Sequence, residues 1–365
     1  MKKENLQIIS LSAASTFLNH NSVPSRNLQS QAEKLEKFIL INFQRSKYDV
    51  EKVENILFIE VPRLKSIFYI KKIVKEIKRE LNNNTKSVIT AGNPFDLGIL
   101  GIIFKFCLQM PLQIQIHTDL YSKNFLMSKK RHRLYLLISQ ITFPFANSIR
   151  TVSKNTEQKL KKMYPKKLIK NIIEIADFSY IKIDSEKNNN GLLYLCPARY
   201  DEGKNLTNLI EAFIEFHKIH KDTELKIVGM GTLKEELARI VKENDAVNYI
   251  SLPGWSQNMP NEYTKANFTI LPSLFEGFNM SVRESLSYGT PFLATPFGGG
   301  TELIIYGKTG FIAKGFSKED IYNLLLESYK NKDVFDTKII KDSVKDLTKD
   351  NMDKKLIELW KETCE

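Results

Sequence analysis

Short apolar runs alternate along this chain with longer stretches in which apolar residues recur every three or four positions. The runs Leu6–Leu11, Ile56–Val61, Ser87–Thr90, Leu112–His117, Ser148–Val152 and Asn171–Ile175 predict buried strands. Between several of them the three-to-four spacing predicts helices, as at Ser66–Leu81 and Arg131–Phe143; Phe95–Met110 also reads as a helix packed on a sheet. The stretch IDSEKNNNG, Ile183–Gly191, is polar and aperiodic and reads as a linker. Beyond it the alternation restarts, with strands expected at Leu192–Pro197, Leu225–Val228, Tyr249–Leu252, Phe268–Leu271, Pro291–Ala294 and Phe311–Ile312. Helices fit between these at Asn205–His220 and Leu233–Glu243. The tail, Asp350–Glu365, reads as an amphipathic helix with Met352, Leu356, Leu359 and Trp360 on its apolar side.

Alternating strands and helices imply parallel sheets covered on both faces. The fold class is therefore α/β, as two doubly wound domains: residues 1–183, residues 191–345, and a C-terminal helix, 346–365, placed to cross back to the first domain. A chain of 365 residues suits two cores better than one. Its 42% hydrophobic and 26% charged content is ordinary for a folded protein. No stretch approaches the roughly 20 apolar residues of a membrane span. The short apolar run after the basic start MKKEN includes Gln7 and Ser10 and reads as a first strand, not a signal peptide. Cys107, Cys196 and Cys364 are too few and scattered for a disulfide framework or a zinc site, which fits a reducing, cytoplasmic setting.

Charge changes the picture in one place. Between Leu120 and Lys170 stand thirteen Lys or Arg against a single acid, Glu157, which accounts for the whole formal net charge of +12. Lys129, Lys130, Arg131 and Arg133 run straight into LYLLISQITFPF. A basic cluster beside an apolar helix suits an anionic membrane surface better than nucleic acid, which is not expected as a partner. A solvated lysine-rich face is the plain alternative.

In open parallel sheets, ligands bind beyond the carboxyl ends of the strands, so the chemistry should sit in the loops that follow them. After the strand ending at Leu271 comes a loop with Glu276 and Gly277, and a helix expected from about Ser281. Amides at a helix start, with the positive end of its dipole, suit phosphate. Gly277 lets a ligand approach the backbone. Glu276 and Glu284 could both accept hydrogen bonds from vicinal diols, which sugars and ribose offer. For Glu284 there is a structural alternative, a capping box over Ser281-Val-Arg-Glu284. The glycine-rich Phe297–Thr301 follows the next strand and is expected to precede a helical run. Arg199 and Lys204, in CPARYDEGKN, could clamp a diphosphate, or could simply pair with Asp201 and Glu202. Gly229, in VGMG, ends another strand as a backbone approach point.

In this order and spacing, PARYDEGKN, VGMG, LPSLFEGFNMSVRESLSYGTP, GGGTELI and GKTGFI resemble the retaining glycosyltransferases of the GT-B fold, family 4-like, over about Leu192–Ile312. The resemblance implies two Rossmann-like domains facing a central cleft. It implies that Arg199 and Lys204 hold the diphosphate of a nucleotide-sugar donor and that Glu276 contacts the transferred sugar. The amides of Phe278, Asn279, Met280 and Ser281 would hold sugar and phosphate, Glu284 the ribose hydroxyls, and Leu252–Trp255 would lie near the base. His117 matches a histidine that lines the sugar site in many members, with Asp119 a weaker candidate. The first loop, SLSAASTFLNHNSVPSRN, lacks the paired glycines common there.

Fixed cations and helix-start amides can stabilise a leaving diphosphate without a metal. The chain contains no Asp-x-Asp, so no metal or other cofactor is expected. A UDP-sugar is the expected donor, on family frequency, and a glycan or lipid-linked acceptor in envelope or capsular polysaccharide synthesis is expected from the basic face. A GT-B-type epimerase or phosphorylase would use similar donor contacts. A dinucleotide-dependent oxidoreductase should show Gly-x-Gly-x-x-Gly after a first strand, which neither domain has.

Overall fold

In the computed structural model, the described residues are 3–14, 23–45, 47–63, 66–173, 175 and 191–365. The proposed linker, apart from Gly191, and residues 15–22 of the glycine-poor first loop lie outside them. The described residues fall into two units, one within 1–121, 129–177 and 349–365, the other within 122–128 and 178–348.

In the first unit the strands are β1 (Glu4–Ser12), β2 (Leu35–Arg45), β3 (Asp49–Val53), β4 (Ile56–Pro62), β5 (Lys86–Ala91), β6 (Leu112–Ile116), β7 (Ser148–Thr151) and β8 (Leu168–Asn171). They form one sheet in the order β3-β4-β2-β1-β5-β6-β7-β8. Every pairing is parallel except β3 with β4. The central strands are continuous buried runs, as both-face coverage requires: β4 is buried along its whole length. The strand expected at Asn171–Ile175 lies earlier, because its register is fixed by β7, with Ser148 opposite Leu168 and Thr151 opposite Asn171.

The C-terminal helix, Lys349–Thr363, packs on this first unit. Met352, Leu356, Leu359 and Trp360 are all buried. The Trp360 indole donates to Gln113 Oε1 at 3.1 Å. At the other end, buried Asp353 takes Lys34 at 2.9 Å and Lys349 at 2.6 Å.

The second unit holds β9 (Leu192–Pro197), β10 (Thr223–Val228), β11 (Ile250–Gly254), β12 (Phe268–Leu271), β13 (Phe292–Ala294) and β14 (Gly310–Ile312). Their order is β11-β10-β9-β12-β13-β14, all parallel. The core lies between this sheet and the helices Leu206–Ile219 and Lys318–Lys330, with Tyr194, Phe213, Phe216 and Phe268 fully buried. Two α/β units of this kind are what the GT-B resemblance implies. Among the described residues, no helix is long and apolar enough to cross a membrane.

Candidate functional site

The second unit gathers its chemistry where β9, β10, β12 and β13 end. After β9 the chain makes a single 3-10 turn, Glu202–Lys204, and Asn205 then takes a left-handed φ of 56°, which asparagine tolerates, to enter the helix Leu206–Ile219. This turn presents Lys204. Its ammonium lies 2.5 Å from Glu276 Oε1, with both side chains about seven-eighths buried (13% and 12% exposed). The same carboxylate oxygen accepts from Ser273 Oγ at 2.7 Å and Asn279 Nδ2 at 3.1 Å. Three donors thus converge on Oε1, and no described residue donates to Oε2. Glu276 is therefore held in one orientation with one oxygen left to accept.

Arg199 is mostly exposed, and its nearest ionic partner is Asp201 at 3.5 Å. The surface pair raised as an alternative for Arg199 is thus formed, whereas Lys204 pairs with Glu276 and not with the neighbouring acids. Gly229 and Gly231 act on this loop from behind. A Cβ on Gly229 would sit 1.9 Å from the Ala198 carbonyl oxygen, and one on Gly231 2.3 Å from that of Tyr200. Both positions need glycine because the VGMG turn presses on the backbone that carries Arg199.

The helix beyond Glu276 runs from Met280 to Ser287, one residue earlier than the sequence suggested, and its cap is Asn279, whose side chain accepts from the Ser281 amide at 2.9 Å. The capping box over Ser281–Glu284 is therefore not made. Glu284 falls in the second turn, buried, where its Oε2 accepts from the Tyr263 hydroxyl at 2.8 Å. Burial raises the Glu284 carboxyl above the ordinary carboxylate range, only partly offset by the Tyr263 bond and by Arg283. Burial and the adjacent carboxylate likewise push the Tyr263 hydroxyl well up. Arg283 is turned away to the Leu347 carbonyl, at 2.9 and 3.1 Å.

Of the four amides from Phe278 to Ser281, two are already engaged: Asn279 donates to the Gly299 carbonyl at 3.2 Å and Ser281 to its cap. The amides of Phe278 and Met280 have no partner among the described residues. The glycine-rich loop after β13 leads into a single 3-10 turn, Thr301–Leu303, and not a longer helical run. It braces the Glu276 loop. Glu276 forms a parallel bridge with Gly298 and donates its amide to the Phe297 carbonyl at 3.1 Å. Gly299 passes so close that a Cβ there would lie 1.5 Å from the Gly277 oxygen. Ser122–Ser128 joins the same unit, with Asn124 Nδ2 donating to the Leu274 carbonyl at 3.0 Å and Phe125 edge-on to Phe275.

His117 belongs to the first unit, just past β6, exposed, with its Nε2 3.0 Å from Gln115 Oε1. Asp119 is buried and accepts from the Tyr121 amide at 3.1 Å. Among the described residues no three His, Cys, Asp or Glu side chains gather where a metal ion would fit. Sequence reasoning missed Ser273, Tyr263 and the side chain of Asn279. Only Asn279, sitting before a helix, carried a signal, and that signal is a cap.

Residues 177–345 match the family described as glycosyl transferases group 1. Over those residues, just under half of the chain, it is similar to the group 1 glycosyltransferases, and its fold is GT-B. A sucrose synthase isoform of Daucus carota is 27% identical over 202 residues, which are 48% of this chain but 24% of that protein. The chain thus spans about a quarter of the length of that relative. Among solved structures, sucrose-phosphate synthase from Thermosynechococcus elongatus superposes with a TM-score of 0.77 at 15% identity, covering 98% of each chain. Anabaena HepE in complex with UDP gives 0.73 at 15% identity, over 96% of this chain and 98% of that one. At such identity the structural likenesses speak for the fold.

Proposed function

We propose that this protein is a retaining glycosyltransferase that moves a sugar from a UDP-sugar to a glycan or lipid-linked acceptor in cell-envelope or capsular polysaccharide synthesis. The observation that carries the reading is the loop Ser273–Glu284. Within twelve residues it sets a fixed carboxylate with one open oxygen, two open amides at a helix start and a second, buried carboxylate, beside the paired Lys204.

Breaking a sugar–diphosphate bond develops positive charge on the sugar and negative charge on the departing diphosphate. Arg199, Lys204 and the amides of Phe278 and Met280 supply the positive potential for the second. Glu276 Oε2 accepts from the sugar hydroxyls, and Glu284 accepts from the ribose diol. Lys204 serves both sides: its partner Glu276 holds it in place before the diphosphate arrives. For His117 the sugar-site role rests on the resemblance of its sequence position alone. No metal or other cofactor takes part. UDP as leaving group is supported by the UDP-bound fold relative. A cytoplasmic setting beside an anionic membrane is supported by the basic excess between Leu120 and Lys170.

Thermal stability against UDP, GDP, ADP and NAD tests this directly. A ligand at about 100 times its dissociation constant adds roughly 2.7 kcal/mol. A shift with UDP alone is expected. A shift with NAD alone would overturn the reading, and a shift with GDP or ADP would correct the base.

A further inference from the structure

The helix Lys130–Thr142 in the first unit is built inside out. Its buried positions are His132, Ser139 and Thr142. The two hydroxyls are satisfied by backbone: Ser139 donates to the Leu136 carbonyl at 2.6 Å and Thr142 to that of Pro94 at 2.7 Å. Its outward positions are Leu134, Leu137 and Ile141, which are 55%, 58% and 64% exposed. Their spacing of three and four places them on one stripe. Phe145 continues the stripe past the helix end, and Phe106 of the helix Asp96–Leu108 meets it edge-on with ring centres 6.3 Å apart. Five exposed large apolar side chains thus lie together on one surface, the kind of patch that marks a contact site.

Charge decides what covers it. Lys129, Lys130, Arg131 and Arg133 stand exposed at one end of the stripe. At the other end Lys167 reaches the Pro144 carbonyl at 3.2 Å, with exposed Lys166 beside it. Three other cations of the basic segment are engaged elsewhere: Arg150 is buried, Lys161 pairs with Glu157 and Lys170 with Glu362. Apolar residues in the middle with cations at both ends match a bilayer interface, where the side chains enter the acyl boundary and the cations meet anionic headgroups.

We propose that the Leu134–Leu137–Ile141–Phe145 stripe, with Phe106, inserts into the interface of an anionic membrane, held there by the cations at its two ends. This deepens the membrane-side reading given above by naming the surface, and it stands on residues of the first unit alone. The test is flotation of the full chain with vesicles of phosphatidylcholine containing phosphatidylglycerol, and with phosphatidylcholine only. Binding is expected to the anionic vesicles, weakening as salt rises. Arg133→Gln should weaken it about fivefold, the share of one near-surface cation. Leu137→Ser/Ile141→Ser should weaken it at least tenfold. These positions are exposed, so the thermal shift with UDP should be unchanged in every variant, which separates failure of the docking surface from failure of the donor site. Undiminished binding by Leu137→Ser/Ile141→Ser would overturn the proposal. So would a wild-type dimer in solution that this variant converts to monomer, because the stripe would then be covered by a second copy.

Discussion

Glu284 carries a stability cost that its ligand should relieve, and replacing it with glutamine exposes both sides of that trade. The carboxylate is buried and accepts one hydrogen bond from Tyr263 at 2.8 Å, and burial raises its pKa above the ordinary 4.5. A raised folded-state pKa means that the folded protein binds the proton more tightly than the unfolded chain. The stabilisation from that proton is complete below about 4.5 and is lost as pH rises through the folded value. Glutamine does not titrate, but its carbonyl still accepts from Tyr263. The stability of wild type minus that of Glu284→Gln should therefore fall as pH rises from below 4.5 and then level off. At neutral pH the variant should be as stable as wild type or more so. Ligand affinity should move the other way. Hydrogen bonds to a charged acceptor contribute about 1.5–3 kcal/mol against 0.5–1.5 for neutral ones, so a ribose diol loses roughly ten- to a hundredfold in binding. Urea denaturation at several pH values, with UDP titration of the same samples, measures both quantities. A stability difference that is flat or rises with pH would refute the account of Glu284, as would unchanged UDP affinity.

Glu276→Ala should abolish transfer yet leave the protein folded, at a cost of about 1–3 kcal/mol for stranding Lys204, as read by sugar-transfer assay and thermal denaturation. A fully active variant would remove the role assigned to Glu276. Gly299→Ala should keep both sheets, because its clash is with Gly277 and not with a core residue, but should erase the UDP thermal shift by displacing the Glu276 loop. Far-ultraviolet circular dichroism beside the shift assay tells this apart from unfolding. Asp353→Ala should cost about 1–3 kcal/mol in urea, because Lys349 loses its carboxylate and Lys34 is left with the exposed Asp350 alone. A change below 1 kcal/mol would show that the C-terminal helix is held by Trp360 and its apolar neighbours instead.

The fold was legible wherever apolar runs are buried on both faces. The strand Leu192–Pro197 lies where periodicity put it, and so does Phe268–Leu271. The edge strand Asp49–Val53 was not legible, because all five residues are exposed and it exists only by antiparallel pairing with Ile56–Pro62. The apolar run FILINF within Leu35–Arg45 also announces a strand, one that the expected set lacks and that the first sheet holds between β4 and β1. The end strand Leu168–Asn171 was misplaced because its position depends on long-range register that local pattern does not encode.

For the candidate site, the sequence supplied residue types and the structure supplied pairings, and the pairings alter what the residues can do. Lys204 and Glu276 are 72 positions apart, so nothing local announces that each is the other's partner. Once paired, neither is a free charge waiting for substrate. An incoming diphosphate must share Lys204 with Glu276, while Ser273 and Asn279 keep the carboxylate in place during that exchange. Tyr263 stands in the same relation to Glu284, from 21 positions away. Asn279 does two jobs that spacing alone assigned to neither: its carbonyl oxygen caps the helix and its amide nitrogen holds Glu276. That shared use ties the helix start, where phosphate would sit, to the carboxylate that would meet the sugar. Loss of either bond should therefore be felt at both ends of the donor. Asn279→Asp keeps the cap but replaces a donor to Glu276 with a second negative charge. It is expected to weaken sugar recognition while preserving helix stability, whereas Asn279→Ala should weaken both. Equal stability losses in the two variants would break the link between cap and carboxylate.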